Sequence, residues 1–145
     1  LNYKTTSIIV AVLGKINIDL THNDLVASGA DVLFRSENVE DGLSKLSALT
    51  SLPEVCIIDL DFYDRNVLEQ LRELKTKYPS IRLIAHSDID DNETVNALSE
   101  IGIESYLFIG SDTDDFKKAI EEFKNDKRYF SGGVAKIAQE YFSNR

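Results

Sequence analysis

The residue best suited to chemistry is a carboxylate at the end of an apolar run. Asp59 follows Val55-Cys56-Ile57-Ile58, the most apolar stretch of the chain. Ending a buried strand with a carboxylate costs desolvation energy unless the side chain emerges at the surface or is paired. Asp59 is therefore a candidate site residue at the edge of a sheet. The alternative interpretation is that it caps the loop that follows.

Two further polar residues, His86 and Ser87, follow another apolar run. A histidine there could sense pH or transfer a proton, although we interpret His86 as a polar residue at the rim of the sheet. Serine, histidine and aspartate are the components of a hydrolytic triad, but the sequence lacks the Gly-x-Ser-x-Gly turn that exposes such a serine. It also lacks a glycine-rich phosphate loop, so nucleotide binding is not supported.

The elements that position these residues alternate between apolar strands and amphipathic helices. Continuous β-branched runs are typical of strands buried on both faces, whereas apolar residues three and four apart indicate helices. The predicted strands cover residues 7–13, 31–35, 55–59, 81–85 and 105–109. Helices are predicted over 39–49, 92–101 and 112–123, in the stretch that begins at Val67 and ends before Pro79, and within the weakly patterned segment 14–28.

This alternation predicts an α/β fold with a parallel sheet and helices on both of its faces. Five βα units in 145 residues indicate a flavodoxin-like (βα)5 doubly wound sheet with strand order 2-1-3-4-5. Such a sheet carries its site at the carboxyl ends of strands 1 and 3, where Asp59 is predicted to lie.

Charge and cysteine content limit the function classes. A net charge of −9 opposes binding to phosphate backbones, so this segment by itself is not expected to bind nucleic acid. No apolar run approaches the roughly 20 residues that cross a bilayer, and no membrane association is predicted. Cys56 is the single cysteine, which excludes an internal disulfide and fits a reducing cytoplasm.

The motifs in this order resemble the receiver (CheY-like) domain of two-component response regulators, in particular the NarL/LuxR type. The run that ends in Asp59 is similar to the third strand of receivers, whose terminal aspartate accepts a phosphoryl group from a histidine kinase. Ser87 matches the hydroxyl residue that contacts the phosphoryl group. Gly102-Ile103-Glu104-Ser105-Tyr106-Leu107 resembles the receiver motif Gly-Ala-x-Gly-Tyr-Leu, in which Tyr106 would be the aromatic residue that moves inward on activation.

Two departures from the receiver pattern remove sources of positive charge from the site, namely the ligands of a metal ion and a lysine. The acidic pair that holds Mg²⁺ in receivers is replaced by Val12-Leu13-Gly14-Lys15, which leaves Asp59 and the backbone carbonyl of Asp61 as weak ligands. The lysine that ends the fifth strand in receivers is replaced by Ile109. Phosphoryl transfer depends on positioning and charge neutralisation, so we predict slow phosphorylation of Asp59.

The resemblance implies a non-enzymatic signalling module, the receiver of an atypical response regulator. We predict a receiver domain over residues 1–126 and a linker helix over 127–145 that leads to a DNA-binding output domain beyond the sequence. Its expected partners are a histidine kinase and a second copy, docked through the fourth helix, fifth strand and fifth helix of the receiver. The alternatives are a stand-alone, phosphate-independent protein-binding module and, less favoured, a small hydrolase on the same fold.

Overall fold

A parallel six-stranded sheet forms the centre of the molecule, in the order β2-β1-β3-β4-β5-β6. The computed structural model describes residues 8–14, 29–60, 66–87, 92–108, 113–130 and 143. The strands are β1 (Ile8–Leu13), β2 (Ala30–Ser36), β3 (Val55–Asp59), β4 (Arg82–Ser87), β5 (Ile103–Phe108) and β6 (Tyr129–Phe130). The predicted α/β fold and the strand order 2-1-3-4-5 are confirmed, and a sixth strand extends the sheet beyond β5.

Four helices connect the strands in the described ranges. They are α1 (Val39–Ser47), α2 (Val67–Lys77), α3 (Asn92–Ile101) and α4 (Thr113–Lys124). Asn38 caps α1, because its side-chain oxygen accepts a hydrogen bond from the backbone N–H of Asp41 at 2.7 Å. Gly102 ends α3 with a φ of +111°, which glycine adopts without steric cost. The helix predicted within 14–28 lies outside the described residues.

The sheet separates two apolar cores because neighbouring strand residues face opposite sides. Cys56 and Ile58 of β3 belong to the larger cluster, which includes buried residues of α1, α2 and α3. Val55 and Ile57 belong to the smaller cluster, which includes buried residues of α4. Burial on both faces explains why β3 is a continuous apolar run rather than an alternating one.

β6 lies in the segment that the sequence analysis assigned to the linker. It pairs in parallel with β5, with Ser105 opposite Tyr129 and Tyr106 opposite Phe130. The chain thus continues the βα alternation for one more step after α4. The linker helix predicted for the rest of this segment falls almost wholly on residues outside the described ranges.

None of the helices in the described ranges has the length and apolarity needed to cross a membrane.

Candidate functional site

Asp59 stands at the carboxyl end of β3, between the ends of β1 and β4. Its neighbour Ile58 pairs with Leu13 of β1, and Asp59 itself pairs with His86 of β4. The Asp59 side chain is 22% exposed, so the carboxylate reaches the surface without being fully solvated. Asp59 thus lies at the end of β3 and at the carboxyl edge of the sheet, as the sequence predicted. The role of Asp59 as phosphoacceptor stays a prediction.

His86 makes a direct contact with this carboxylate. Its Nδ1 lies 3.3 Å from Asp59 Oδ1, and its side chain is only 2% exposed. A carboxylate can only accept a hydrogen bond, so a hydrogen bond between these two atoms needs the histidine tautomer with its proton on Nδ1. The backbones of the two strands are also joined at this point, because the Leu60 N–H donates a hydrogen bond to the carbonyl oxygen of His86 at 2.9 Å.

The interpretation of His86 as a polar rim residue is therefore wrong. The side chain is buried and belongs to the site, because parallel pairing of β3 with β4 places it directly opposite Asp59. The signal in the sequence was a polar residue at the end of an otherwise apolar strand. Its partner lies 27 positions earlier, and only the register of the sheet shows that the two residues meet.

The end of β1, where the sequence predicts that the receiver acidic pair is missing, packs closely around Asp59. Leu13 is fully buried, and it packs against α1 at Gly42. Gly14 has a φ of +98°, and a β-carbon at that position would lie 2.9 Å from the β-carbon of Asp59. The chain therefore passes Asp59 so closely that position 14 has no space for a side chain beside it.

These contacts do not fit a resident Mg²⁺ ion. Mg²⁺ demands near-octahedral oxygen coordination and usually takes one or two carboxylates. In the described ranges, no cluster of three His, Cys, Asp or Glu side chains is arranged to hold a metal ion. The predicted ligand Asp61 lies outside those ranges, and one oxygen of the other predicted ligand, Asp59, faces His86.

Ser87 and Tyr106, the predicted switch residues, lie on adjacent strands. Ser87 ends β4 and pairs with Phe108, while Tyr106 pairs with Ala85 two residues earlier in the register. The Tyr106 side chain is 1% exposed and belongs to the larger apolar cluster. Its ring is therefore on the inward side of β5. The switching role of both residues stays a prediction, and Ile109 lies outside the described residues.

Comparison with known proteins gives both a sequence relative and structural neighbours. No protein-family model matches the chain. Response regulator protein VraR of Staphylococcus saprophyticus is 28% identical over 108 residues, which are 74% of this chain and 50% of VraR. The chain thus spans about half the length of this curated relative.

Solved structures with the same fold include regulators of the RcsB and LuxR groups. The RcsB response regulator of Salmonella typhimurium aligns with a TM-score of 0.79 at 18% identity, over 92% of this chain and 70% of RcsB. The isolated REC domain of RcsB from Salmonella enterica serovar Typhimurium, with the phosphomimetic BeF3−, aligns with a TM-score of 0.73 at 18% identity, over 90% of this chain and 98% of that domain. A LuxR-family two-component response regulator from Aurantimonas sp. aligns with a TM-score of 0.76 at 16% identity, over 94% of this chain and 99% of that one.

The fold is that of receiver domains. The sequence similarity to a response regulator and the structural similarity to RcsB and LuxR-family regulators confirm the resemblance to a receiver domain of the NarL/LuxR type.

Proposed function

We propose that the chain is the receiver domain of an atypical response regulator, in which His86 holds the phosphoacceptor carboxylate and phosphoryl transfer is weak. The observation that supports this proposal is the 3.3 Å contact between His86 Nδ1 and Asp59 Oδ1. A carboxylate engaged by a buried imidazole is less available to attack a phosphodonor. The domain is proposed to signal without being an enzyme.

The surroundings of Asp59 support slow phosphorylation for an electrostatic reason. Phosphoryl transfer needs cations that neutralise the charge on the transferred group. Leu13 and Gly14 provide no metal ligands at the end of β1, and the receiver lysine is replaced by Ile109 in the sequence. His86 supplies positive charge only when both of its nitrogens are protonated, and it is turned toward Asp59.

The switch is proposed to depend on packing and on a partner. In the sequence, Ser87 and Tyr106 match the receiver switch residues, and the Tyr106 ring is already buried. We propose a homodimer through α3, β5 and α4, which correspond to the fourth helix, fifth strand and fifth helix of the receiver. β6 covers the outer edge of β5, so a second copy would meet the helices and β6 rather than that edge.

The relatives support a proposal for the wider setting of this domain. RcsB has been solved as dimers bound to DNA, and the chain covers 68% of the RcsB chain in that structure. We propose that this receiver controls a DNA-binding domain encoded beyond the sequence, in the cytoplasm, with a histidine kinase as its upstream partner. The net charge of −9 supports assigning DNA binding to that other domain.

The proposal can be tested with two reagents. Modification by acetyl phosphate is measured by intact mass spectrometry, and binding of beryllofluoride is measured by NMR. The wild type should remain mostly unmodified, and Asp59→Asn should be unmodified. The ¹⁵N shifts of the His86 imidazole should change in Asp59→Asn, because the substitution removes the carboxylate that fixes the Nδ1 proton. The matched control is Asp41→Asn, which removes a surface carboxylate paired with Lys45.

Complete modification of the wild type that is abolished in Asp59→Asn would contradict the proposed weak phosphoryl transfer. Imidazole shifts that are the same in the wild type and Asp59→Asn would contradict the role of His86. The two results are independent, so either part of the proposal can fail by itself.

A further inference from the structure

The two residues of β6 are held by contacts on several sides. The Tyr129 backbone N–H donates to Ser105 Oγ of β5 at 3.1 Å. The Tyr129 hydroxyl donates to Asp115 Oδ1 of α4 at 2.7 Å. β6 is thus bonded both to the neighbouring strand and to the helix that precedes it.

The side chains of β6 extend both apolar cores. Tyr129 packs against the smaller cluster, beside α4. Phe130 packs against the larger cluster, which contains the Tyr106 ring. Tyr106 and Phe130 are also partners in the β5–β6 register, so their side chains project from the same face of the sheet. The burial of Phe130 and the position of Tyr106 are therefore linked.

The turn before β6 is held by Arg82, which begins β4 at the end away from His86 and Ser87. Arg82 donates from one guanidinium nitrogen to Asp126 Oδ1 at 2.8 Å and to the Phe123 carbonyl oxygen at 3.3 Å. Its guanidinium carbon also lies 4.6 Å from the centre of the Phe123 ring. Asp126 has a φ of +60°, a conformation that aspartate tolerates better than most residues. These contacts direct the chain from α4 back to the edge of the sheet.

We infer that β6 is a conformational latch: Tyr129 and Phe130 fasten the chain that follows α4 to the strand that carries Tyr106. In the latched state the chain leaves the sheet from a fixed point beside β5. When Tyr106 changes its packing, Phe130 loses part of its contact surface and the latch weakens. Coupling of this kind is reciprocal, so release of Phe130 also loosens Tyr106. The latch does not depend on phosphorylation of Asp59.

Amide hydrogen exchange of the 145-residue chain, followed by NMR, tests the latch. In Phe130→Ala, exchange at the Tyr106 amide should become faster by on the order of ten-fold, because loss of the aromatic contact favours local opening. In Tyr106→Leu, exchange at the Phe130 amide should become faster by a similar factor. The amides of Val12 and Ile57, in the centre of the sheet, should keep their rates in both variants.

Phe34→Ala is the matched control, since Phe34 is also a partly buried aromatic residue that packs against the larger cluster, but from β2 at the opposite edge of the sheet. It should leave the exchange of Tyr106 and Phe130 unchanged. The milder variant Tyr129→Phe removes only the hydrogen bond to Asp115 and should accelerate exchange in β6 by a few-fold.

Unchanged Tyr106 exchange in folded Phe130→Ala would overturn the inference. So would equal acceleration at Tyr106, Val12 and Ile57, which would mean global destabilisation rather than a latch. If Phe130→Ala does not fold, Tyr106→Leu decides, and an unchanged exchange rate at Phe130 would then overturn the inference.

Discussion

Gly42 lies directly against the side chain of Leu13. A β-carbon built on Gly42 would be 2.3 Å from Leu13 Cδ2, closer than any stable contact allows. α1 therefore packs onto β1 at the strand end where receivers carry their acidic pair. The leucine is part of the packing between helix and sheet, so an acid at position 13 would have to replace a core side chain.

Gly42→Ala should destabilise the fold. The added methyl group overpacks the contact with Leu13, which costs about 1–3 kcal/mol, while alanine returns up to about 1 kcal/mol of helix propensity. We expect a net loss of about 1 kcal/mol in the free energy of unfolding, measured with urea. Ser44→Ala, at an exposed position of the same helix, should be neutral or stabilising. Equal stability of Gly42→Ala and the wild type would mean that α1 can move away from β1.

Mg²⁺ should bind weakly, and replacing Leu13 with an acid should not restore a site. In a titration followed by the amide shifts around Asp59, the wild type should not saturate at sub-millimolar Mg²⁺. Leu13→Asp should bind no better and should unfold more easily than Leu13→Ala, because it adds the cost of a buried charge to the same cavity. Saturation of the wild type at sub-millimolar Mg²⁺ would reveal further ligands.

Cys56 should be inert to thiol reagents in the native state. Burial raises the pKa of its thiol from 9.0 to about 12, so the reactive thiolate is negligible at pH 8. An aromatic disulfide reagent should modify the chain only after unfolding by denaturant. Because the folded pKa lies above the unfolded one, ionisation of Cys56 should lower stability as the pH rises above about 9. Rapid modification without denaturant would contradict the burial of β3.

Self-association should be independent of phosphate and sensitive to β5. We expect a dimer of the wild type in sedimentation experiments, an unchanged dimer in Asp59→Asn, and weaker association in Tyr106→Ala, because loss of the ring disturbs β5. Tyr78→Ala is a suitable control, since Tyr78 packs against the same cluster from the end of α2. A wild type that is monomeric at high micromolar concentration would remove the support for the dimer.

Local sequence signals were sufficient for the elements with clear boundaries. β3 was predicted with its observed ends because four apolar residues are followed by an acid. α3 was predicted correctly because Asn92 begins its pattern and Gly102 ends it. β4 continues to Ser87, two residues beyond the predicted end, because polar residues at its end still pair with β5. Such pairing cannot be deduced from the apolar pattern of one strand.

The parts of the site that depend on register were not predictable. The sequence indicated Asp59, but its pairing with His86 requires the alignment of β3 with β4. β6 has two residues, too few to show a strand period, and its partners Ser105 and Asp115 come from two other elements. The closure of the site around Asp59 is also tertiary, because it depends on the path of the backbone at Gly14.

The sixth strand also determines where the chain can be cut. A fragment that stops before Tyr129 leaves the outer edge of β5 without its neighbour, and exposed strand edges promote aggregation. We expect expression fragments that end at Asp126 to be less soluble than those that continue past Phe130. During synthesis on the ribosome the same edge of β5 stays open until these two aromatic residues emerge, so the nascent chain carries an unpaired strand edge up to that point.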